Sequence, residues 1–317
     1  MPQPRKQFAQ HWLRSDKALN RIVSAAALIK GDGATQPGDR VLEIGPGTGI
    51  LTRQLLQLAE AVVAVEIDRD LCELLAKKLG KIENFLLLQG DFLTLDLDDL
   101  LSPFPAFQHP NKVVANIPYN ITGPILEKLL GTIAAPAARP YDAIVLLVQK
   151  EVAQRLCAHP GSRHYGALSV RVQYLADCEF ICDVPAQAFH PPPKVDSAVV
   201  RLRPRPIESP AADPRRMETL IKLGFASKRK MLRNNLQSVI ERDRLTELME
   251  SLAINPQFRA EDLSVAQWVA LSNQLTDSLT DSHRKMLDLT TPDPALDELS
   301  DDSDDSLDSF DAPSEDA

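Results

Sequence analysis

The 317-residue sequence lacks any apolar run of membrane-spanning length. Its N-terminus has no apolar stretch of the kind a signal peptide needs. Cysteine is scarce: Cys72, Cys157, Cys178 and Cys182 show neither metal-ligand nor redox spacing, the last two being four apart. Reduced thiols in a cytoplasmic protein are therefore expected. The six histidines form no zinc-binding cluster, so no metal is expected. No internal repeat is present. The formal charge of −9 would argue against a nucleic-acid partner, but the charge is unevenly placed. Residues 277–317 hold fourteen acids against Arg284 and Lys285, a net of −12, which leaves residues 1–276 at +3. That acidic stretch, with its D-D-S-D-D-S run, has too little apolar content to order itself.

What is present is chemically specific. Val41 to Gly49 reads V-L-E-I-G-P-G-T-G, an apolar strand running into a glycine-rich turn, and Ile50 to Leu58 continues with helical spacing. Glycines there let the backbone approach a ligand closely. The spacing is G-x-G-x-G, unlike the G-x-G-x-x-G of nicotinamide enzymes, and favours S-adenosylmethionine, which carries no pyrophosphate. Ala61 to Glu66 reads as the second strand, ending in an acid about twenty residues after the loop, where a carboxylate accepts from both ribose hydroxyls. Phe85 to Asp91 reads as a third strand, ending in an acid placed for the cofactor's adenine amine. Any one of these acids alone is also compatible with a solvated strand end.

A fourth strand, Lys112 to Asn116, leads into Asn116-Ile117-Pro118-Tyr119. The N6 nitrogen of adenine is a poor nucleophile because its lone pair is delocalised into the ring. An Asn side-chain oxygen and a carbonyl preceding or within the Pro turn can accept both N6 hydrogens and draw that lone pair out of conjugation. Such acceptors work when fixed in advance. The aromatic residue then stacks on the extruded base. Taken singly, the string is also compatible with a strand entering a Pro-containing turn. The ordered set of loop, acids and turn points to methyl transfer onto an exocyclic nitrogen.

Beyond these motifs the chain resembles the ribosomal RNA adenine N6-dimethyltransferases of the small-subunit type, from about Arg5 to about Ser264. Arg5 to Leu13, R-K-Q-F-A-Q-H-W-L, is similar to the family's start, with His11 where Asn is more usual and Trp12 where Phe is. Phe189 to Ser197, F-H-P-P-P-K-V-D-S, resembles its second signature. Lys228 to Leu236 resembles its R-R-K-x-L-x-N-x-L segment, and Arg259 to Ser264, R-A-E-D-L-S, a later turn. The resemblance implies S-adenosylmethionine contacts from His11, Leu13, Gly45, Gly47, Glu66, Asp91 and Asn116. It implies that Asn116, Pro118 and Tyr119 hold the target base while Phe189 closes on its other face. The implied reaction is dimethylation of N6 on two adjacent adenosines near the 3′ end of small-subunit ribosomal RNA, by a monomer acting on the RNA or the immature subunit.

Two rival functions stay open on the sequence. One is a large-subunit ribosomal RNA adenine methyltransferase of the resistance type, which shares the N-[IL]-P-[YF] core. The other is a non-catalytic nucleic-acid-binding assembly factor, against which the intact Glu66, Asp91 and Asn116 argue. The Pro run after Phe189 is expected to stiffen its loop into an extended polyproline form; the alternative for Phe189 is a hydrophobic plug. Lys194 is placed either to neutralise a phosphate or simply to be solvated. Lys228, Arg229, Lys230 and Arg233 suit a helix lying on a phosphate backbone, with Arg201, Arg203, Arg205, Arg215 and Arg216 as further basic clusters. The alternative is a solvated face.

Alternation of strands and helices predicts an α/β, Rossmann-like doubly wound domain over residues 1–205. A small helical RNA-placement domain is expected over 206–276 and an acidic tail over 277–317. Further elements expected are helices over 16–29, 121–130 and 151–157, a buried strand over 141–148, and closing antiparallel strands over 179–184 and 198–202.

Overall fold

The computed structural model describes residues 5, 10–32 and 36–276. Lys6, Phe8 and the acidic stretch from residue 277 onward lie outside the described residues. The strands are β1 (Trp12–Leu13), β2 (Arg40–Ile44), β3 (Ala61–Glu66), β4 (Phe85–Gln89), β5 (Lys112–Asn116), β6 (Ala143–Gln149), β7 (Ala176–Val184), β8 (Phe189–His190) and β9 (Ser197–Pro204). The α-helices are α1 (Asp16–Ala26), α2 (Ile50–Leu58), α3 (Arg69–Leu79), α4 (Leu97–Leu101), α5 (Thr122–Leu130), α6 (Lys150–Leu156) and α7 (Ala167–Leu175). They are followed by α8 (Pro214–Phe225), α9 (Leu232–Asn235), α10 (Arg242–Ser251) and α11 (Val265–Thr276).

Seven strands form one sheet in the order β4-β3-β2-β5-β6-β9-β7. The first five in that order pair in parallel, and β9 and β7 add antiparallel. The order reverses between β2 and β5, and in such sheets ligands bind outside the carboxyl ends at that reversal. β3 and all of β6 except Gln149 are buried, as suits parallel strands covered on both faces. β7 bulges between Phe180 and Cys182.

Local chemistry sets the element ends. Ser15 caps α1, its Oγ accepting from the Ala18 amide at 3.3 Å. The helix stops at Ala26, short of the expected Ile29, because Ala27 turns left-handed at φ 46°. Lys112 Nζ donates to the Ala26 and Ala27 carbonyls at 3.1 and 2.7 Å, satisfying groups that a helix end leaves open. Asp68 caps α3 and Asp213 caps α8, where Pro214 fits the first turn.

The antiparallel pair β1–β8 was not expected from the sequence. It joins Trp12 to His190 and Leu13 to Phe189. One apolar cluster runs from Leu42 through the sheet to Trp268 and Leu275, so the core is continuous across residue 205. A second cluster, on the other sheet face, unites α1 and α2 with Leu13 and Phe189.

Candidate active site

The carboxyl ends of β2, β3, β4 and β5 converge on a cavity of about 110 Å³. Its lining includes His11, Gly45, Gly47, Glu66, Asp91, Asn116, Pro118 and Tyr119, eight residues singled out in the sequence. The glycine turn adopts left-handed φ angles of 66° at Gly45 and 57° at Gly47, which only glycine takes at little cost. A Cβ on Gly47 would meet the Trp12 indole at 3.5 Å, so the turn and the N-terminal segment lie in van der Waals contact.

Glu66 is buried at the end of β3. Its Oε2 accepts from the Gly47 amide at 3.0 Å and its Oε1 from the Asp68 amide at 3.0 Å. Burial raises its pKa, against the lowering effect of these amides. Each carboxylate oxygen keeps a second acceptor site. Asp91 follows β4, which ends at Gln89 with Gly90 between, and its Oδ1 accepts from the Leu93 amide at 2.9 Å. Beside it Lys128 donates to the Leu93 and Leu95 carbonyls and lies 5.1 Å from the centre of the Phe92 ring, which fixes that turn.

Asn116 ends β5, and its Nδ2 donates to the His11 carbonyl at 3.3 Å. That bond assigns the amide orientation and leaves Oδ1 as its acceptor. The Tyr119 hydroxyl lies 2.6 Å from Ser197 Oγ. Thr122 Oγ1 reaches the Tyr119 and Pro118 carbonyls at 3.1 and 3.4 Å, closing the turn before α5. The His11 ring stacks on Tyr119, with centroids 5.9 Å apart and planes 17° apart, and its Nδ1 lies 2.8 Å from the Pro191 carbonyl.

The N-terminal segment is clamped over this site. Arg5 pairs with Asp68 at 3.3 Å and Asp70 at 2.5 Å, and Gln10 donates to Asp68 at 3.0 Å. Two residues of the R-K-x-F-x-Q start thus hold the residue that caps the helix after Glu66.

Several expectations need correction. Phe189 does not line the cavity: it is 3% exposed in the second core cluster, paired with Leu13. Strand alternation in β8 turns Phe189 inward and His190 outward. The Pro run begins with a cis bond at His190–Pro191, where an extended polyproline form was expected. Leu13 is buried and lines a smaller cavity of about 40 Å³ beneath the glycine turn, shared with Trp12, Gly45, Gly47 and Asn116. Lys194 is exposed on the loop after Pro193 and lines neither cavity.

The basic segment also differs from its expected form. Lys228, Arg229 and Lys230 stand exposed in a turn, not on a helix, and α9 after them is only four residues long. Arg233 is half-buried, with Nε lacking a hydrogen-bond partner among the described residues. Arg201 and Arg203 share Glu179, and Arg205 pairs with Asp177, so two of the three positive charges in that cluster are offset. Arg216 is buried at the start of α8.

Sequence reasoning missed Ile67, Phe92 and Trp12 as lining residues. The signal for the first two was available, since each is an apolar residue directly after a strand-end acid, and Ile67 is 46% exposed. It also missed Glu43, which is 1% exposed and lines the smaller cavity. Burial, with the charge of Glu66 adding to it, pushes its pKa up to about 8. Glu43 Oε2 and Trp12 Nε1 have no hydrogen-bond partners among the described residues. The two cavities share Trp12, Gly45, Gly47 and Asn116 in their linings. Among the described residues no group of His, Cys, Asp and Glu could hold a metal, and no helix is long and apolar enough to cross a membrane.

Comparison with known proteins agrees with this geometry. A ribosomal RNA small subunit methyltransferase A from Nostoc punctiforme is 72% identical over 275 residues, covering 87% of this chain and 96% of that one. One from Rippkaea orientalis is 62% identical over 275 residues, covering 87% and 98%. Among solved structures, a dimethyladenosine transferase from Plasmodium falciparum superposes with a TM-score of 0.69 at 26% identity, covering 84% of this chain and 98% of that one. The 23S rRNA methyltransferase ErmE gives 0.64 at 29%, covering 84% and 99%. With residues 1–277 matching the pattern of the ribosomal RNA adenine dimethylases, the chain belongs to that family.

Proposed function

We propose that this chain uses S-adenosylmethionine to dimethylate N6 of two adjacent adenosines near the 3′ end of small-subunit ribosomal RNA. The observation that carries the reading is the Asn116–Tyr119 turn, which lines one cavity together with Glu66 and Asp91. When bound, S-adenosylmethionine supplies a methyl group made electrophilic by the sulfonium.

The chain's own residues supply position. Glu66 takes the ribose hydroxyls, Asp91 the adenine amine of the cofactor, and Gly45 and Gly47 let the backbone come close. At the target base, Asn116 Oδ1 accepts one N6 hydrogen. The Pro118 carbonyl already faces the Ile121 amide at 3.4 Å and the Thr122 hydroxyl at 3.4 Å. The second acceptor is therefore the Ile117 carbonyl. Tyr119 stacks on the base and fixes its plane. These acceptors favour a tetrahedral, cationic N6 over the planar amine, and their gain comes from being set in place beforehand. The cationic product nitrogen then loses its proton to water.

Residues 206–276 act as the RNA-placement module, with Lys228, Arg229 and Lys230 on its exposed turn. A cytoplasmic monomer acting on the immature subunit is the accompanying proposal. The large-subunit rival finds support in the likeness to ErmE, but 29% identity there stands against 72% to a small-subunit relative. The test is transfer of labelled methyl groups from S-adenosylmethionine to immature small subunits, naked small-subunit RNA and large-subunit RNA, with the modified bases mapped. Dimethyladenosine at two adjacent positions of the small-subunit RNA is expected. Label only in large-subunit RNA, or none, overturns the reading.

A further inference from the structure

The segment around β1 is fastened to the loop around β8 at four successive residues. His11 Nδ1 meets the Pro191 carbonyl, Trp12 pairs with His190, Leu13 pairs with Phe189, and the Arg14 amide donates to Ala188 at 2.7 Å. At the cavity end of this seam the His11 imidazole lies on Tyr119, and both line the cavity that contains Asn116. The Pro191 carbonyl only accepts, so Nδ1 carries the hydrogen in this arrangement. Tyr119 is itself tethered through its hydroxyl to Ser197. Two nearly parallel rings with centroids 5.9 Å apart leave no space for a third between them.

We propose that His11 is a positioning residue whose imidazole occupies the Tyr119 stacking face until the target base displaces it. The inference rests on the reading of Tyr119 as the platform for the target base. A base that stacks there must outcompete an aromatic ring already in place. The cost of lifting the imidazole is the same for every incoming base, so the stack raises the threshold for all bases by one common factor. Departure of the imidazole also breaks the Nδ1–Pro191 bond, so base entry loosens the loop that carries Phe189. Asparagine at position 11 keeps a polar group without a competing ring.

The test uses the full chain saturated with S-adenosylhomocysteine and two short single-stranded RNAs. One carries 2-aminopurine and the other pyrrolocytosine at its centre, and stacking is read as fluorescence quenching. His11→Asn is expected to tighten 2-aminopurine stacking by about two- to tenfold, the scale of one aromatic pair. It should tighten pyrrolocytosine stacking by the same factor, since that base also offers two fused rings and displaces the same imidazole. His11→Phe, which offers a larger ring, is expected to weaken both. Far-UV circular dichroism and the thermal melting point report that each variant is folded; if His11→Phe fails to fold, His11→Asn alone decides. Quenching at one affinity in all proteins, or weaker stacking in His11→Asn, overturns the placeholder role and leaves the platform intact. Quenching in none of them overturns the platform reading and this inference with it.

Discussion

Glu66 ends one strand, and its Oε2 accepts the amide hydrogen of Gly47, from the glycine turn of the neighbouring strand, at 3.0 Å. The acid thus shapes the turn as well as facing the cavity. Its other oxygen is held by the Asp68 amide, so both are oriented before any ligand arrives. Glu66→Ala removes the charged acceptor proposed for the cofactor's ribose. S-adenosylmethionine affinity should fall by roughly 1.5–3 kcal/mol, the scale of hydrogen bonds to charged groups. Because burial raises the Glu66 pKa, affinity of the wild-type protein should also decline as pH falls through that raised value. Calorimetric titration measures both effects, and an unchanged affinity would remove Glu66 from the site.

Asn116 separates binding from chemistry. Asn116→Ala deletes one of the two proposed N6 acceptors and also the Nδ2 bond to the His11 carbonyl. Turnover at saturating cofactor should drop by about a hundredfold or more, by analogy with loss of one preorganised hydrogen-bonding group. Cofactor affinity should change much less. Single-turnover methylation reads the first quantity and calorimetry the second; near-normal methylation by the variant contradicts the role given to Asn116.

The parts of this site that were legible in the sequence are those that short-range pattern dictates. An apolar run, a glycine turn and a helical period mark β2 and α2, and the acids at strand ends follow from the same alternation. The seam between β1 and β8 was not legible. It consists of two residues on each side, and its partners lie far apart in sequence. Register across that seam decides that Phe189 faces the core, something an aromatic followed by prolines does not encode. The end of α1 was hidden for a similar reason, because Lys112 from a central strand closes it. In α7, A-L-S-V-R-V-Q-Y-L, seven of nine residues are buried, so the segment shows no clear amphipathic period. Charge runs misled most: Arg201, Arg203 and Arg205 look free in sequence, but the neighbouring strand brings Glu179 and Asp177 against them.

The exposed turn at Lys228, Arg229 and Lys230 carries the RNA contact proposed above. Replacing these three by Gln should weaken RNA binding and flatten its salt dependence by up to about one unit of slope for each phosphate no longer neutralised. Cofactor affinity should stay as it was, since none of the three lines either cavity. Arg233 is kept out of this set because its partly buried guanidinium bears on folding. Filter binding across a salt series checks the slope, and an unaltered slope would place the RNA-binding charge elsewhere on the molecule.

Glu43 makes stability depend on pH in an unusual direction. It is almost fully buried, and its pKa is pushed up to about 8 from an ordinary 4.5. Between those values the folded chain holds a proton that the unfolded chain has released. Unfolding therefore sheds a proton, and the contribution of this residue to stability falls as pH rises through the window. At about 1.4 kcal/mol per pKa unit, the loss across it is of the order of several kcal/mol. Glu43→Gln keeps the shape and removes the titration. The variant should match the wild type near pH 5 and exceed it increasingly toward pH 8. Urea unfolding of both proteins at several pH values measures this difference, to which titrating groups other than the coupled Glu66 contribute equally in the two chains. A difference that stays constant from pH 5 to pH 8 would mean that Glu43 is ionised in the folded protein throughout.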